Sequence, residues 1–140
     1  MRILIIDTAL GLCTAGVFEV APDGATTVLG LRSEAMVKGH QERLAGFARD
    51  AAATTDGGFR ALDRIGVTTG PGSFTGLRVG LAFAQGLGAA LDRPVVGVST
   101  LDALAASVDG RAVATAFPLI EDREVRKAVA RVVRALAGDD

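Results

Sequence analysis

Two short stretches hold the residues whose types and spacing could do chemistry. Asp7 and Thr8 stand together where the aliphatic run Arg2 to Ile6 gives out. A carboxylate plus a hydroxyl at a strand end suits a metal-phosphate, and the same pair suits an Asx-type turn that organises a first hairpin. The second stretch, Gly70 to Arg78, reads Gly-Pro-Gly-Ser-Phe-Thr-Gly-Leu-Arg. Gly70 and Gly72 permit backbone angles that other residues reach only with strain, while Pro71 fixes its own φ. Ser73 and Thr75 carry hydroxyls suited to N-capping, so the amides of the next turn are either capped or offered to an anion, with Arg78 as an added charge. It is not a P-loop, because no Lys-Ser or Lys-Thr follows the glycines at the required spacing. A tight connection whose glycines allow close packing is the competing reading.

Other reactive residue types are scarce. His40 is the single histidine, placed where a helix begins, and reads as a surface or capping residue. Cys13 has no second ligand nearby for a metal and no base to activate it, so it reads as core. Arg123, Arg126, Lys127, Arg131 and Arg134 alternate with valines at helical spacing, which describes a solvated amphipathic face better than an RNA contact.

The elements that must position these residues follow from patterning. Arg2 to Asp7 suits a strand buried on both faces. Cys13 to Val20 and Thr26 to Ser33 supply two more strands around the turn at Pro22-Asp23-Gly24, so an antiparallel meander opens the chain. From His40 the period becomes helical: Leu44, Phe47, Ala48, Ala51 and Ala52 share a face, Glu42, Arg43, Arg49 and Asp50 oppose it, and Asp56-Gly57-Gly58 closes the helix. Asp63 to Thr69 is a fourth strand, followed by the glycine-rich turn and a helix to Leu91 that Asp92-Arg93-Pro94 stops. Val95 to Val98 is a short strand, Ser99-Thr100 caps a helix to about Ser107, and Arg111 to Ala116 suits a further strand. Glu121 to Leu136 is a helix with an apolar stripe of Val125, Val129, Val132, Val133 and Leu136, acidic at its start and basic at its end. The order is βββαβαβα in an α/β domain, with an extra helix at the C-terminal end.

Gly76, Gly80, Ala84 and Gly88 recur every fourth residue and align on one side of their helix. Each interior glycine costs up to about 1 kcal/mol relative to alanine, so the stripe calls for a closely approaching neighbour. Spacing leaves open whether that neighbour is internal or belongs to a partner.

The whole chain bounds these readings. With 140 residues, 49% hydrophobic and 22% charged, it has the size and apolar content of one domain. A net charge of -1 supplies no global basic field for nucleic acid or an anionic membrane. Six Phe and no Trp or Tyr leave few stacking platforms for bases. One cysteine and no leader-like start make a reducing cytoplasm the expectation, and no uninterrupted apolar run approaches the roughly 20 residues of a membrane span.

Asp7-Thr8-Ala9, the His40 helix, Thr69 to Gly80 and Gly97-Val98-Ser99-Thr100-Leu101, in that order, resemble the TsaB family, also called YeaZ. The likeness covers residues 1 to about 116. It implies an actin-like ATPase lobe of ribonuclease H-like topology, with 117–140 as linker and amphipathic helix. It implies a role in making N6-threonylcarbamoyladenosine in tRNA, as a non-catalytic scaffold that pairs with the catalytic subunit TsaD, is joined by the ATPase TsaE, and meets tRNA through the complex. The pairing surface it implies is carried by His40, Leu44, Phe47, Thr75, Gly76, Arg78, Val79, Gly80, Phe83, Ala84 and Gly88, a face through which a homodimer would compete. No cofactor of its own is expected; ATP and a metal belong to the partner subunits.

The resemblance also weakens the enzyme reading. The catalytic relative carries two metal-binding histidines four residues apart after the equivalent strand, where this chain has Thr100 and Leu104. Family members continue into a second lobe, whereas the likeness fades here after Ala116. Nucleotide binding in that superfamily uses the cleft between lobes, so Asp7, Thr8, Gly70, Gly72 and Ser73 are expected to be a vestigial cofactor site. A residual nucleotide-binding or phosphotransfer protein using those same residues is the alternative.

Overall fold

A computed structural model describes residues 1–103. Five strands form one mixed sheet in the order β3-β2-β1-β4-β5. β1 (Arg2–Asp7), β2 (Leu12–Val20) and β3 (Thr26–Ala35) make the expected antiparallel meander, with Asp7 opposite Thr14 and Thr14 opposite Ser33. β4 (Arg64–Gly70) and β5 (Val95–Ser99) then add in parallel beyond β1. Each parallel step needs a helical crossover, and α1 (His40–Ala52) and α2 (Phe74–Leu91) supply them. The expected helix 101–107 is described only as far as residue 103, where Ser99 Oγ accepts the Asp102 amide at 3.5 Å. The expected strand 111–116, helix 121–136 and division at 116 lie outside the described residues.

Both helices pack on one face of the sheet. Leu4 and Ile6 from β1, Cys13, Ala15 and Val17 from β2, and Ile65 and Val67 from β4 form a continuous core with Leu44, Ala48, Ala51 and Ala84. The alternation that sends these residues to the helices sends Ile3, Ile5, Phe18 and Val98 to the opposite face, and they too are buried. This is why β1 reads as an unbroken aliphatic run.

Three local features differ from the sequence expectation. α1 ends at Ala52, before Asp56-Gly57-Gly58, and Gly58–Ala61 forms a 3-10 turn that lowers Leu62 into the core. β3 carries one extra residue, Leu29, where the register moves from Val17–Gly30 to Phe18–Val28. α2 ends as expected at Asp92, but through a left-handed residue (φ 53°) that is not glycine; Arg93 N then donates to Gly88 O at 2.9 Å, which satisfies a terminal carbonyl.

The glycine stripe has an internal partner, which corrects its placement on a pairing surface. Gly76, Gly80, Ala84 and Gly88 are the buried positions of α2. A Cβ on Gly76 would overlap the Thr8 carbonyl, one on Gly80 the Thr8 hydroxyl, and one on Gly88 the Val95 side chain. The stripe lets α2 lie directly on the ends of β1 and β5. With 18 residues of mean hydropathy 1.2, α2 is long and apolar enough to cross a membrane by length and composition alone, a test that a core helix also passes, and its contact with β1 and β5 makes it an element of the domain.

Candidate functional site

Asp7 and Thr8, adjacent at the end of β1, point to opposite faces of the sheet, as successive strand residues must. Asp7 Oδ1 accepts the Ala9 amide at 3.1 Å and the Thr68 hydroxyl at 2.9 Å, the Asx geometry of a turn joined to a cross-strand bond. Thr14 and Ser33 share a hydrogen bond of 2.7 Å in the same row, so a polar band crosses four strands there. Thr8 is fully buried on the helix side, and its Oγ1 donates to Gly76 O at 2.6 Å. Its hydroxyl holds the first turn of α2.

The glycine-rich turn is pinned to the chain just after β1, although its residues 71–75 are exposed. Ser73 N donates to Ala9 O at 2.7 Å, and Gly72 lies so close to Ala9 that a Cβ would overlap its carbonyl. Gly70 takes a φ of 110°, open to glycine and costly for other residues. Ser73 is the N-cap, its Oγ accepting the Gly76 amide at 3.3 Å. Of the residues expected as a vestigial cofactor site, Thr8 is buried within the fold, whereas Gly70 is half-buried and Gly72 and Ser73 stay at the surface, Ser73 as the N-cap of α2. Asp7 alone faces away from the helices. Among the described residues, no group of three or more His, Cys, Asp or Glu side chains is placed to hold a metal ion.

An open surface lies instead between the helices. Gln41, Leu44 and Ala45 of α1 and Arg78, Val79, Ala82 and Phe83 of α2 line a groove of about 340 Å³. Of the expected pairing residues, Arg78, Val79, Phe83 and the buried floor residue Leu44 meet here. Phe47 is half-buried against the core and Thr75 is exposed at the first turn of α2, neither lining the groove. His40 is 4% exposed, with Nε2 lacking a hydrogen-bond partner, which corrects its reading as a surface residue. Gln41, Ala45 and Ala82 were missed. Their signal is helical spacing, since Ala82 stands four residues after Arg78, and Gln41 and Ala45 flank Leu44.

Cys13 is core, as expected. Burial, with Glu34 and Asp7 adding negative charge, pushes its thiol up from 9.0 to about 11. The folded protein thus keeps this proton while the unfolded chain loses it, so stability falls as pH rises from about 9 towards 11. Iodoacetamide at pH 8 is expected to leave Cys13 unmodified in the native protein and to alkylate it in urea, as read by mass spectrometry.

Comparisons with known proteins agree on kinship. The family described as TsaD, tRNA N6-adenosine threonylcarbamoyltransferase, matches residues 26–121. The tRNA threonylcarbamoyladenosine biosynthesis protein TsaB of Escherichia coli (strain K12) is 34% identical over 105 residues, which are 75% of this chain and 43% of that protein. The structure of YeaZ from Pseudomonas aeruginosa superposes with a TM-score of 0.64 at 32% identity, covering 79% of this chain and 48% of that one. Thermus thermophilus RuvC superposes with a TM-score of 0.56 at 14% identity over 99% of this chain and 97% of its own, a likeness of fold alone. This chain spans about half or less of the TsaB and YeaZ relatives.

Proposed function

This chain belongs to the TsaB/YeaZ family, and we propose that it acts in tRNA N6-threonylcarbamoyladenosine formation as a non-catalytic scaffold that pairs with a TsaD-like subunit. Its described lobe has the ribonuclease H-like, actin-like architecture of that family. The observation that carries the pairing reading is the groove between α1 and α2, where half-buried Val79 and Phe83 flank exposed Ala82 and Arg78. An apolar furrow edged by one cation suits the ridge of a partner's helix better than a small polar substrate. A TsaE-like ATPase and tRNA join through the complex, in the cytoplasm.

Size exclusion of the purified protein mixed with TsaD tests the pairing. A stable complex at micromolar concentration is expected, and separate elution overturns the reading. The same run without TsaD reports the competing homodimer. The phosphotransfer alternative is the weaker reading, because the Thr8 hydroxyl donates to Gly76 O and the Ser73 amide to Ala9 O. Calorimetry with ATP and magnesium is expected to be flat. Saturable heat abolished by Asp7→Ala would restore that alternative.

A further inference from the structure

The end of the sheet where β1, β4 and β5 stop is apolar in an unusual way. Among the described residues five large apolar side chains stand exposed, and Leu10, Val37, Phe74 and Leu101 all project from segments at this end; only Val28 lies elsewhere. Val37, in the loop before α1, is 89% exposed and Phe74, the first residue of α2, 72%, at positions where polar residues would serve solubility better. Backbone bonds hold three of them together. Met36 N donates to Gly11 O at 3.0 Å and Ser73 N to Ala9 O at 2.7 Å, which fixes the Leu10 turn between Val37 and Phe74. The Arg78 guanidinium stacks 4.7 Å from the Phe74 ring centre, and neither Arg78 nor Lys38 has an ion-pair partner among the described residues.

We infer that this strip is a second docking surface, whose occupant is a polypeptide segment with apolar anchors set between carboxylates. The aliphatic pair Leu10 and Val37 asks for apolar side chains, while the unpaired Lys38 and Arg78 ask for negative charge. Asp7, the carboxylate at the end of β1, is held by Thr68 and Ala9 and makes no ion pair with either cation. Single-stranded RNA would also stack on Phe74 and pair with Arg78. It is the weaker fit, because two of the three linked apolar groups are aliphatic and the net charge of the chain is -1. The strip shares Arg78 with the helix groove, while Leu10, Val37, Lys38 and Phe74 line no part of it.

Fluorescence anisotropy of the full chain with a labelled short peptide of alternating Leu and Glu tests the inference, beside a Leu/Lys peptide and an oligouridine of similar length. Saturable binding of the Leu/Glu peptide is expected, weakened about tenfold by Phe74→Ser and again by Lys38→Glu, with the circular dichroism spectrum unchanged. No binding, equal binding of the Leu/Lys peptide, tighter binding of oligouridine, or indifference to both substitutions would each overturn it.

Discussion

Gly80→Leu is expected to unfold the domain more than it disturbs any partner. The added side chain enters the contact between α2 and the end of β1, where a Cβ alone would overlap Thr8 Oγ1 and approach Ile6 Cγ2 to 3.6 Å. That hydroxyl cannot yield freely, since it donates to Gly76 O at 2.6 Å with both groups buried. Overpacking costs about 1–3 kcal/mol and a broken buried hydrogen bond about 1–3 more. The sum is a large fraction of the roughly 5–15 kcal/mol that holds a domain folded. Thermal melts should shift down by more than about 10 °C. A double-mutant cycle isolates the cause: Gly80→Ala should destabilise the parent, yet in a Thr8→Ala background most of that cost should vanish, because the obstructing oxygen is gone. Unshifted melting of Gly80→Leu would mean that the stripe does not bear on β1.

The same positions show what patterning can carry. A four-residue recurrence of glycine demands a close neighbour, and the demand is met by Thr8 and Val95. Spacing holds no information about which surface approaches, so the internal and partner readings were equivalent until the sheet was placed. The strands were legible because burial on both faces leaves an unbroken aliphatic run in Ile3 to Ile6, and α1 because Leu44, Ala48 and Ala51 keep one side. The 3-10 turn at Gly58–Ala61 has too few residues for a period, and the Leu29 bulge leaves no trace in composition. The burial of Thr8 has a different cause. Side-chain parity puts residues 7 and 8 on opposite faces, so a pair adjacent in sequence could not serve one ligand from the strand itself.

Two residues beyond Gly80, the opposite outcome is expected. Ala82 is exposed in the groove and lies about 200° around the helix from Gly80, so Ala82→Arg adds bulk and charge to the open side alone. Its effect on folding should stay within about 0.5 kcal/mol, the scale of surface changes, with a few tenths of that from repulsion by Arg78 one turn earlier. Pairing with TsaD should weaken by more than about 100-fold, because a desolvated interface core tolerates an unpaired guanidinium poorly. Titration calorimetry on both variants separates the two faces of α2: Gly80→Leu loses melting temperature and pairing together, Ala82→Arg pairing only. The distinction rests on geometry that a simple loss of binding would not reveal, since an unfolded scaffold also fails to bind. Retained affinity in Ala82→Arg would move the interface off this groove, whatever Gly80→Leu does.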